Sequence, residues 1–183
     1  PILTSWLDRP KDGYATIAAR ALSSVARSNT DTQTTIAEAG AISQLVAMTG
    51  GNGDEDSQHW AAFALAALAE GHTANRVAIA EVGGIVQLVE LLNDVTRQKP
   101  HLMAAMGLWK LATDDDDNQI AATRAGGLQP LVRMLGYESA PHQQMAAATL
   151  EVLSGSFAEM QVAVMKSGAV PGLVGLLGSD DQD

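Results

Sequence analysis

The chain has 183 residues, with 21 acidic and 11 basic side chains, a formal net charge of −10 and no cysteine. This net charge argues against binding to nucleic acids and anionic membranes, which require basic patches, and the absence of cysteine excludes disulfides and thiolate metal sites. Hydrophobic residues make up 46% of the sequence but aromatic residues only 4%. This composition excludes intrinsic disorder and does not suit a β-sandwich, so we expect a helical protein of ordinary domain size.

Short blocks with a glycine recur along the chain at a nearly constant distance. EAGAI, EVGGI, RAGGL and KSGAV follow one another at steps of 43, 43 and 42 residues, and their glycines are Gly40, Gly83, Gly126 and Gly168. Two series of leucines keep the same period: Leu22, Leu65, Leu108 and Leu150, and Leu3, Leu45, Leu88, Leu131 and Leu173. Three markers in one register indicate internal repeats.

Each repeat reads as a short helix, a glycine turn, a second helix, a polar loop and a longer third helix. NRVAIAEV (75–82) precedes Gly83, and GIVQLVELL (84–92) follows it with helical apolar spacing. The glycine permits a sharp turn because it adopts a positive φ at little cost. SQHWAAFALAALAEG (57–71) is a third helix. Its core stripe and the matching stripe of the preceding repeat are Ala61, Ala64, Leu65 and Leu68, and Ala18, Ala21, Leu22 and Val25.

Three helices in about 42 residues, with the segment Gly-Ala-Ile/Leu-x-x-Leu-Val-x-Leu-Leu, resemble the armadillo repeat. The segment appears as GAISQLVAM (40–48), GGIVQLVELL (83–92), GGLQPLVRML (126–135) and GAVPGLVGLL (168–177). HEAT repeats, which lack that glycine signature, are the second choice. The resemblance covers essentially the whole chain. It implies an all-α fold, a right-handed α-solenoid of about four armadillo units with incomplete ends.

The repeat register divides the chain into five segments. Residues 29–71, 72–114 and 115–156 are predicted as armadillo repeats, residues 1–28 as an incomplete amino-terminal repeat and residues 157–183 as an incomplete carboxy-terminal repeat. Apolar residues at both ends would be left half covered: Ile2, Leu3, Trp6 and Leu7, and Val170, Leu173, Leu176 and Leu177. We therefore expect the segment to be part of a longer chain or a larger complex.

The sequence has no recognisable motif for catalysis or metal binding. It spaces its histidines widely, and we expect all four on the surface or in loops: His59, His72, His101 and His142. GGNGDED (50–56) lacks the Lys-Ser/Thr of a phosphate-binding loop and is predicted to be a flexible connection between helices. We therefore predict no enzymatic activity, no cofactor and no metal site.

The run DDDDN (114–118) is the only dense cluster of charge in the sequence. It lacks the glycine and the glutamate that an EF-hand calcium loop requires. We predict a solvated loop in which Asp117 or Asn118 caps the next helix. The alternative is an acidic site for a basic segment of a partner.

The resemblance implies a concave groove, lined by the third helices, that takes extended peptides in armadillo proteins. Helical periodicity predicts which side chains lie beside the core stripes and line it: Arg20, Trp60, Phe63, Leu102, Met103, Met106, Trp109, Lys110 and Met145. LMAAMGLW (102–109) is apolar on every side, with Leu102, Met106 and Trp109 nearly opposite the core stripe of Ala104, Leu108 and Leu111. These residues are predicted to bind an apolar or amphipathic segment, and packing between repeats is the alternative.

Nuclear import adaptors of the armadillo family clamp basic signals with a Trp and an Asn set four residues apart along the groove. The corresponding pairs in this chain do not match: Arg20/Ser24, Phe63/Ala67, Met106/Lys110 and Ala148/Val152. The resemblance therefore does not extend to this group of armadillo proteins.

The sequence predicts a non-enzymatic scaffold that binds a protein or peptide partner along the groove, with no nucleic acid partner and no direct membrane insertion. Two alternatives stay open: a substrate-recognition or regulatory region of a larger enzyme such as a ubiquitin ligase, and a structural subunit of a large assembly. We expect a cytoplasmic or nuclear protein. Import into an organelle stays open because the chain begins at Pro1.

Overall fold

The computed structural model describes residues 2–7, 13–27, 29–50, 54–155 and 158–178. Within these ranges the regular structure is entirely helical. The helices are α1 Ile2–Leu7, α2 Tyr14–Ala26, α3 Thr30–Glu38, α4 Ala41–Thr49, α5 Glu55–Ala69, α6 Thr73–Glu81, α7 Gly84–Asn93, α8 His101–Ala112, α9 Asp116–Arg124, α10 Leu128–Leu135, α11 Ala140–Ser154, α12 Ala158–Lys166 and α13 Ala169–Leu177. Residues 51–53 of the predicted flexible connection lie outside the described residues.

Three helices make one unit, and the units stack in sequence order. α3, α4 and α5 form one unit, α6, α7 and α8 the next, and α9, α10 and α11 the third. The long third helices α2, α5, α8 and α11 pack one against the next, and so do the second helices α4, α7, α10 and α13. Each unit therefore covers the apolar side of its neighbour, as in other helical repeat proteins.

A left-handed glycine joins the first helix of each unit to the second. The φ angles of these residues are 81°, 83°, 89° and 86°, for Gly40, Gly83, Gly126 and Gly168. A residue with a Cβ is strained in this conformation, whereas glycine is not. The prediction that the repeated glycines make the sharp turns is confirmed.

Polar side chains cap the first helices of the units. Asn29, His72 and Asp115 accept hydrogen bonds from the backbone N–H three residues later, at 2.9, 3.2 and 3.1 Å. The prediction that Asp117 or Asn118 caps α9 is wrong. The cap is Asp115, because α9 already begins at Asp116. Asn118 is a buried residue of the first turn of α9.

The predicted core stripe is buried throughout in α5 but only in part in α2, where Ala21 is half-buried. Ala61, Ala64, Leu65 and Leu68 are fully buried in α5. Val25, the residue of α2 that corresponds to Leu68, is 50% exposed, so its prediction as a core residue is wrong. The difference arises because α5 packs against the preceding third helix α2, whereas in the described part of the chain no third helix packs against the corresponding side of α2.

The two ends of the array differ in how much apolar surface they expose. At the amino-terminal end, Leu3 and Trp6 are half-buried, but Leu7 is buried, contrary to the prediction. The side chain of Ile2 lies outside the described residues. At the other end, Val170 and Leu177 are 47% and 76% exposed. In the described ranges no single helix is long and apolar enough to cross a membrane. The consecutive helices α12 and α13 reach the required length and apolar composition only in combination, and they are bent by 81° relative to each other.

Buried amide side chains hold the carboxy-terminal ends of the third helices. Gln33 donates from Nε2 to the carbonyls of Ala67 and Glu70, at 2.7 and 3.0 Å. Asn75 donates from Nδ2 to the Leu68 carbonyl at 3.0 Å. In the next unit Asn118 and Gln119 donate in the same way to the carbonyls of Leu111 and Ala112, at 3.0 and 3.1 Å. These bonds satisfy carbonyls that a helix end leaves unpaired.

Candidate partner-binding groove

The third helices α2, α5, α8 and α11 present a row of side chains outside the core, which we call the groove. Trp60, Met103 and Met145 occupy corresponding positions on α5, α8 and α11, and each is half-buried and packs partly against the core. One turn further along, Phe63 and Met106 are also half-buried. Apolar side chains therefore continue from one unit to the next along these helices.

A depression of about 430 Å³ lies between α2 and α5, and we call it the amino-terminal pocket. It is lined by Ile17, Arg20, Ala21, Ser23, Ser24, Arg27, Trp60 and Phe63. The Arg20 guanidinium lies over the Trp60 indole, 5.8 Å from the ring centroid, and the rings of Trp60 and Phe63 are 6.0 Å apart. The structure thus brings three of the predicted residues, Arg20, Trp60 and Phe63, into one pocket.

α8 carries the most apolar part of the groove. Leu102, Met106 and Trp109 are half-buried and lie outside the core. Lys110 Nζ lies 4.2 Å from the Trp109 ring centroid and 2.6 Å from Glu70 Oε1. The Lys110 ammonium, a predicted groove residue, is therefore already engaged by a carboxylate and an aromatic ring of the protein itself.

The charges of the groove change sign along its length. Among the described residues, no carboxylate pairs with Arg20 or Arg27 in the amino-terminal pocket. A second depression, of about 420 Å³, lies at the other end between α11, α12 and α13 and is lined by Ala148, Glu151 and Leu173, among others. Glu151 is exposed there. Along the groove thus lie two arginines in the amino-terminal pocket, the Lys110–Glu70 pair in the centre and one exposed carboxylate, Glu151, beside the last third helix.

Sequence reasoning missed three of the charged residues that define the groove, namely Arg27, Glu70 and Glu151. Arg27 follows Arg20 by seven residues, a spacing that could have drawn attention to it in the sequence, although Arg27 itself directly follows the end of α2 and has an extended backbone. The pairing of Glu70 with Lys110, by contrast, joins residues 40 positions apart and depends on how α5 and α8 stack.

A histidine and tyrosine cluster lies outside the groove, where the loop before α8 meets the loop before α11. His101 is 0% exposed, so the prediction that all four histidines lie on the surface or in loops is wrong for this residue. Its Nε2 donates to the Asp94 carbonyl at 3.1 Å, and its Nδ1 lies 2.9 Å from the Tyr137 hydroxyl. Burial lowers the pKa of His101 and outweighs the hydrogen bond to the Asp94 carbonyl, which raises it, and the nearby guanidinium of Arg133 lowers it further.

Tyr137 and His142 complete this cluster. Their rings are 5.7 Å apart, and His142 Nδ1 lies 2.8 Å from Ser139 Oγ. Burial raises the pKa of Tyr137 and lowers the pKa of His142. Both shifts favour neutral side chains, so the cluster is a set of uncharged hydrogen-bonding groups. Over the described ranges, no three His, Cys, Asp or Glu side chains come together in an arrangement that would hold a metal ion.

Comparison with known proteins identifies the repeat. A family model of the Armadillo/beta-catenin-like repeat matches residues 115–155, the range that contains α9, α10 and α11. No curated protein sequence matches the chain.

Solved structures match over nearly the whole length. An engineered protein of the Northeast Structural Genomics Consortium is 30% identical, with a TM-score of 0.91, over 98% of this chain and 74% of its own. A designed armadillo repeat protein in complex with the peptide (KR)4 is 26% identical, with a TM-score of 0.87, over 100% and 75%. The armadillo repeats only protein of Plasmodium falciparum, 20% identical with a TM-score of 0.77 over 89% and 72%, shares the fold. The chain belongs to the armadillo repeat family.

Proposed function

We propose that the chain is a non-enzymatic scaffold that binds a segment of a partner protein along the groove. The armadillo fold supports a peptide-binding scaffold, because similar structures include armadillo proteins that were computationally designed for modular peptide recognition. One observation of this chain carries the proposal further. Phe63, Met106 and Trp109 are apolar side chains that lie half-buried on consecutive third helices, outside the core.

The chemistry of these side chains suits an apolar or amphipathic partner segment. Met side chains adapt to irregular surfaces, and Trp side chains supply much of the binding energy in many protein interfaces. Covering the remaining exposed surface of Met106 and Trp109 would contribute about 1–2 kcal/mol for each residue. Several such contacts, spread over two or three units, are enough for a specific complex.

We do not expect this chain to bind the same kind of peptide as the designed relative. That relative holds the peptide (KR)4, which is entirely basic. Here the amino-terminal pocket contains Arg20 and Arg27, and the central groove is apolar. A fully basic segment would meet like charges at the first unit, so the partner differs from (KR)4.

The proposal is tested by a double substitution in the centre of the groove, Met106→Ser with Trp109→Ala. Tagged protein and variant are used for affinity capture from cells that express the protein, and bound partners are quantified by mass spectrometry. We expect capture to fall by about ten-fold, because two interface anchors are removed. Circular dichroism should show nearly unchanged helicity, since neither residue belongs to the core.

The matched control is Val86→Ser on α7, which removes an exposed apolar side chain of a second helix, away from the groove. Capture by this variant should equal that of the unmodified chain. Unchanged capture by the groove variant, or an equal loss in the control, would contradict the proposed function.

A further inference from the structure

We infer that the amino-terminal pocket receives an acidic side chain of the partner, so that the groove selects segments with Asp or Glu on one side of an apolar stretch. The inference rests on the proposed function, because it specifies the chemistry of the segment that the same groove binds. It is carried by two guanidinium groups, that of Arg20 in α2 and that of Arg27 directly after the end of this helix, and by the aromatic rings of Trp60 and Phe63 in the same pocket.

Arg20 is oriented for this role by its contact with Trp60. The guanidinium lies over the indole, 5.8 Å from the ring centroid, in the range of a cation–π interaction. A cation–π contact does not consume the N–H donors of the guanidinium, which stay available for hydrogen bonds. Because these donors form a planar fork that matches a carboxylate, Arg20 can bind one through two parallel hydrogen bonds.

The protein itself does not neutralise these two charges. The chain has 21 acidic residues against 11 basic ones, but only three described cations pair with a carboxylate: Arg97 with Asp94, Lys99 with Asp56 and Lys110 with Glu70. What distinguishes Arg20 and Arg27 is that both line one pocket beside Trp60 and Phe63. In the described part of the chain Arg20 and Arg27 pair with none. α2 carries no acidic residue at all. In a chain of net charge −10, the pocket is therefore a local basic site, and its complementary ligand is a carboxylate.

The carboxylate at the other end of the groove determines the orientation in which the partner segment binds. The depression beside α11 contains the exposed carboxylate of Glu151 and would repel a second acidic group. Between the two ends lie the apolar side chains of α5 and α8. Two helix-to-helix steps separate Arg20 from Met106, roughly 16–20 Å at the usual spacing of packed helices. An extended chain covers this distance in about five or six residues, which sets the expected separation between the acidic and apolar positions of the partner.

The test is a selection from a displayed library of random peptides of about 12 residues, long enough to reach from the pocket to α8. The unmodified protein and the Arg20→Gln, Arg27→Gln double variant are used as baits in parallel. We expect the unmodified chain to enrich peptides with Asp or Glu on one side of apolar residues. The double variant should enrich the apolar residues alone.

The selected peptide, labelled with a fluorophore, is then titrated by anisotropy. The double variant should bind it about five-fold more weakly, as expected for two solvent-accessible charge pairs. The difference should shrink as salt rises from about 50 to about 300 mM, because the pairs are screened. The Arg124→Gln, Lys166→Gln double variant, which removes two exposed cations at the ends of the first helices α9 and α12, is the charge-matched control and should bind like the unmodified chain.

The outcomes separate the inference from the proposed function. Selected peptides that are neutral or basic, yet lose affinity in the Met106→Ser, Trp109→Ala variant, overturn the acidic specificity and leave the groove function intact. Acidic peptides that bind the double arginine variant as well as the unmodified chain also overturn it. A selection that yields no peptide dependent on Met106 and Trp109 contradicts the proposed function and the inference together.

Discussion

Asp114 has the left-handed backbone conformation of Gly71, with φ angles of 55° and 66°. The two residues are 43 positions apart and form the same turn, between the third helix of one unit and the first helix of the next. Asp114 is the one non-glycine residue with a positive φ in the part of the chain that the structure describes. A side chain in this conformation is strained, although Asp tolerates it better than most residues.

Replacing Asp114 by glycine is therefore expected to stabilise the protein. Glycine removes the backbone strain of the native state, and this gain in free energy exceeds the cost of the greater conformational entropy of the unfolded chain. We therefore expect the free energy of unfolding to rise by about 0.5 kcal/mol. Gly71→Ala creates the strain in the corresponding turn and should lower it by about 1 kcal/mol. Urea titration measures both changes.

A control separates backbone strain from the general effect of glycine replacement. Gly175 lies within α13, where an added Cβ would meet no other atom and φ is not positive. Gly175→Ala should raise stability by up to about 1 kcal/mol, because alanine favours helices. If Gly71→Ala behaved like Gly175→Ala, the explanation of the turn would be wrong.

The buried amide of Asn75 is expected to contribute more to the free energy of unfolding than an exposed amide does. Its Nδ2 donates to the Leu68 carbonyl at the end of α5, and removing the amide leaves that carbonyl unpaired. We expect Asn75→Ala to lower the free energy of unfolding by about 2 kcal/mol in urea titrations. Gln161→Ala removes an exposed amide from the first helix α12 and should change stability by less than about 0.5 kcal/mol. Equal effects of the two substitutions would show that burial does not matter.

The Lys110–Glu70 ion pair joins α8 to the end of α5 within the groove, with Nζ and Oε1 2.6 Å apart. The pair is partly exposed, with 21% and 43% of the two side chains accessible. A double-mutant cycle with Lys110→Met and Glu70→Gln should therefore give a coupling energy of about 0.5–1 kcal/mol, and less at high salt. A coupling near zero at low salt would mean that the two charges act independently in solution.

The protein should lose stability in mildly acidic solution because of His101. Burial holds the pKa of this imidazole below its usual value of 6.5, so the native state binds fewer protons than the unfolded state in the range just below that value. The contribution of neutral His101 to the free energy of unfolding is therefore complete above about pH 6.5, and it is lost progressively as the pH falls toward the lowered pKa.

The hydrogen bonds of the cluster give the molecular reason for this prediction. A carbonyl only accepts, so neutral His101 donates from Nε2 to Asp94 and accepts at Nδ1 from the Tyr137 hydroxyl. A proton on Nδ1 would remove that acceptor. Titration of the His101 Cε1–H resonance by NMR measures the pKa directly, and urea titrations at about pH 7.5 and about pH 5.5 measure the stability. A His101 pKa above 6.5 would contradict the prediction.

Much of the fold was predictable from the sequence, because the repeat makes each local signal appear several times. The glycines at steps of 43, 43 and 42 residues predicted the turns, and all four have a positive φ. The third-helix stripe predicted the buried residues of α5. Its failure at Val25 has a physical cause, because burial depends on the neighbouring unit, which helical periodicity does not describe.

The buried amides show a signal that was present in the sequence but not used. Asn75 and Asn118 are 43 residues apart, the same step as the glycines of their units, but the corresponding positions of the flanking units hold Thr32 and Met160. Polar residues at helix starts are usually caps or solvated, so periodicity alone did not distinguish a buried amide from an exposed one. The same reasoning assigned the cap of α9 to Asn118 or Asp117 instead of Asp115.

The sequence by itself determined the three-helix unit, its period and the order in which the units stack. These features follow from apolar spacing and from glycine turns, which act over a few residues. The tertiary structure alone decided which charges are free and which are paired. Glu70 reaches Lys110 and Trp60 reaches Arg20 across stacked helices, some 40 residues apart in the chain. The character of the groove depends on such pairings, because electrostatic and aromatic contacts act over a few ångströms in space whatever the separation along the sequence.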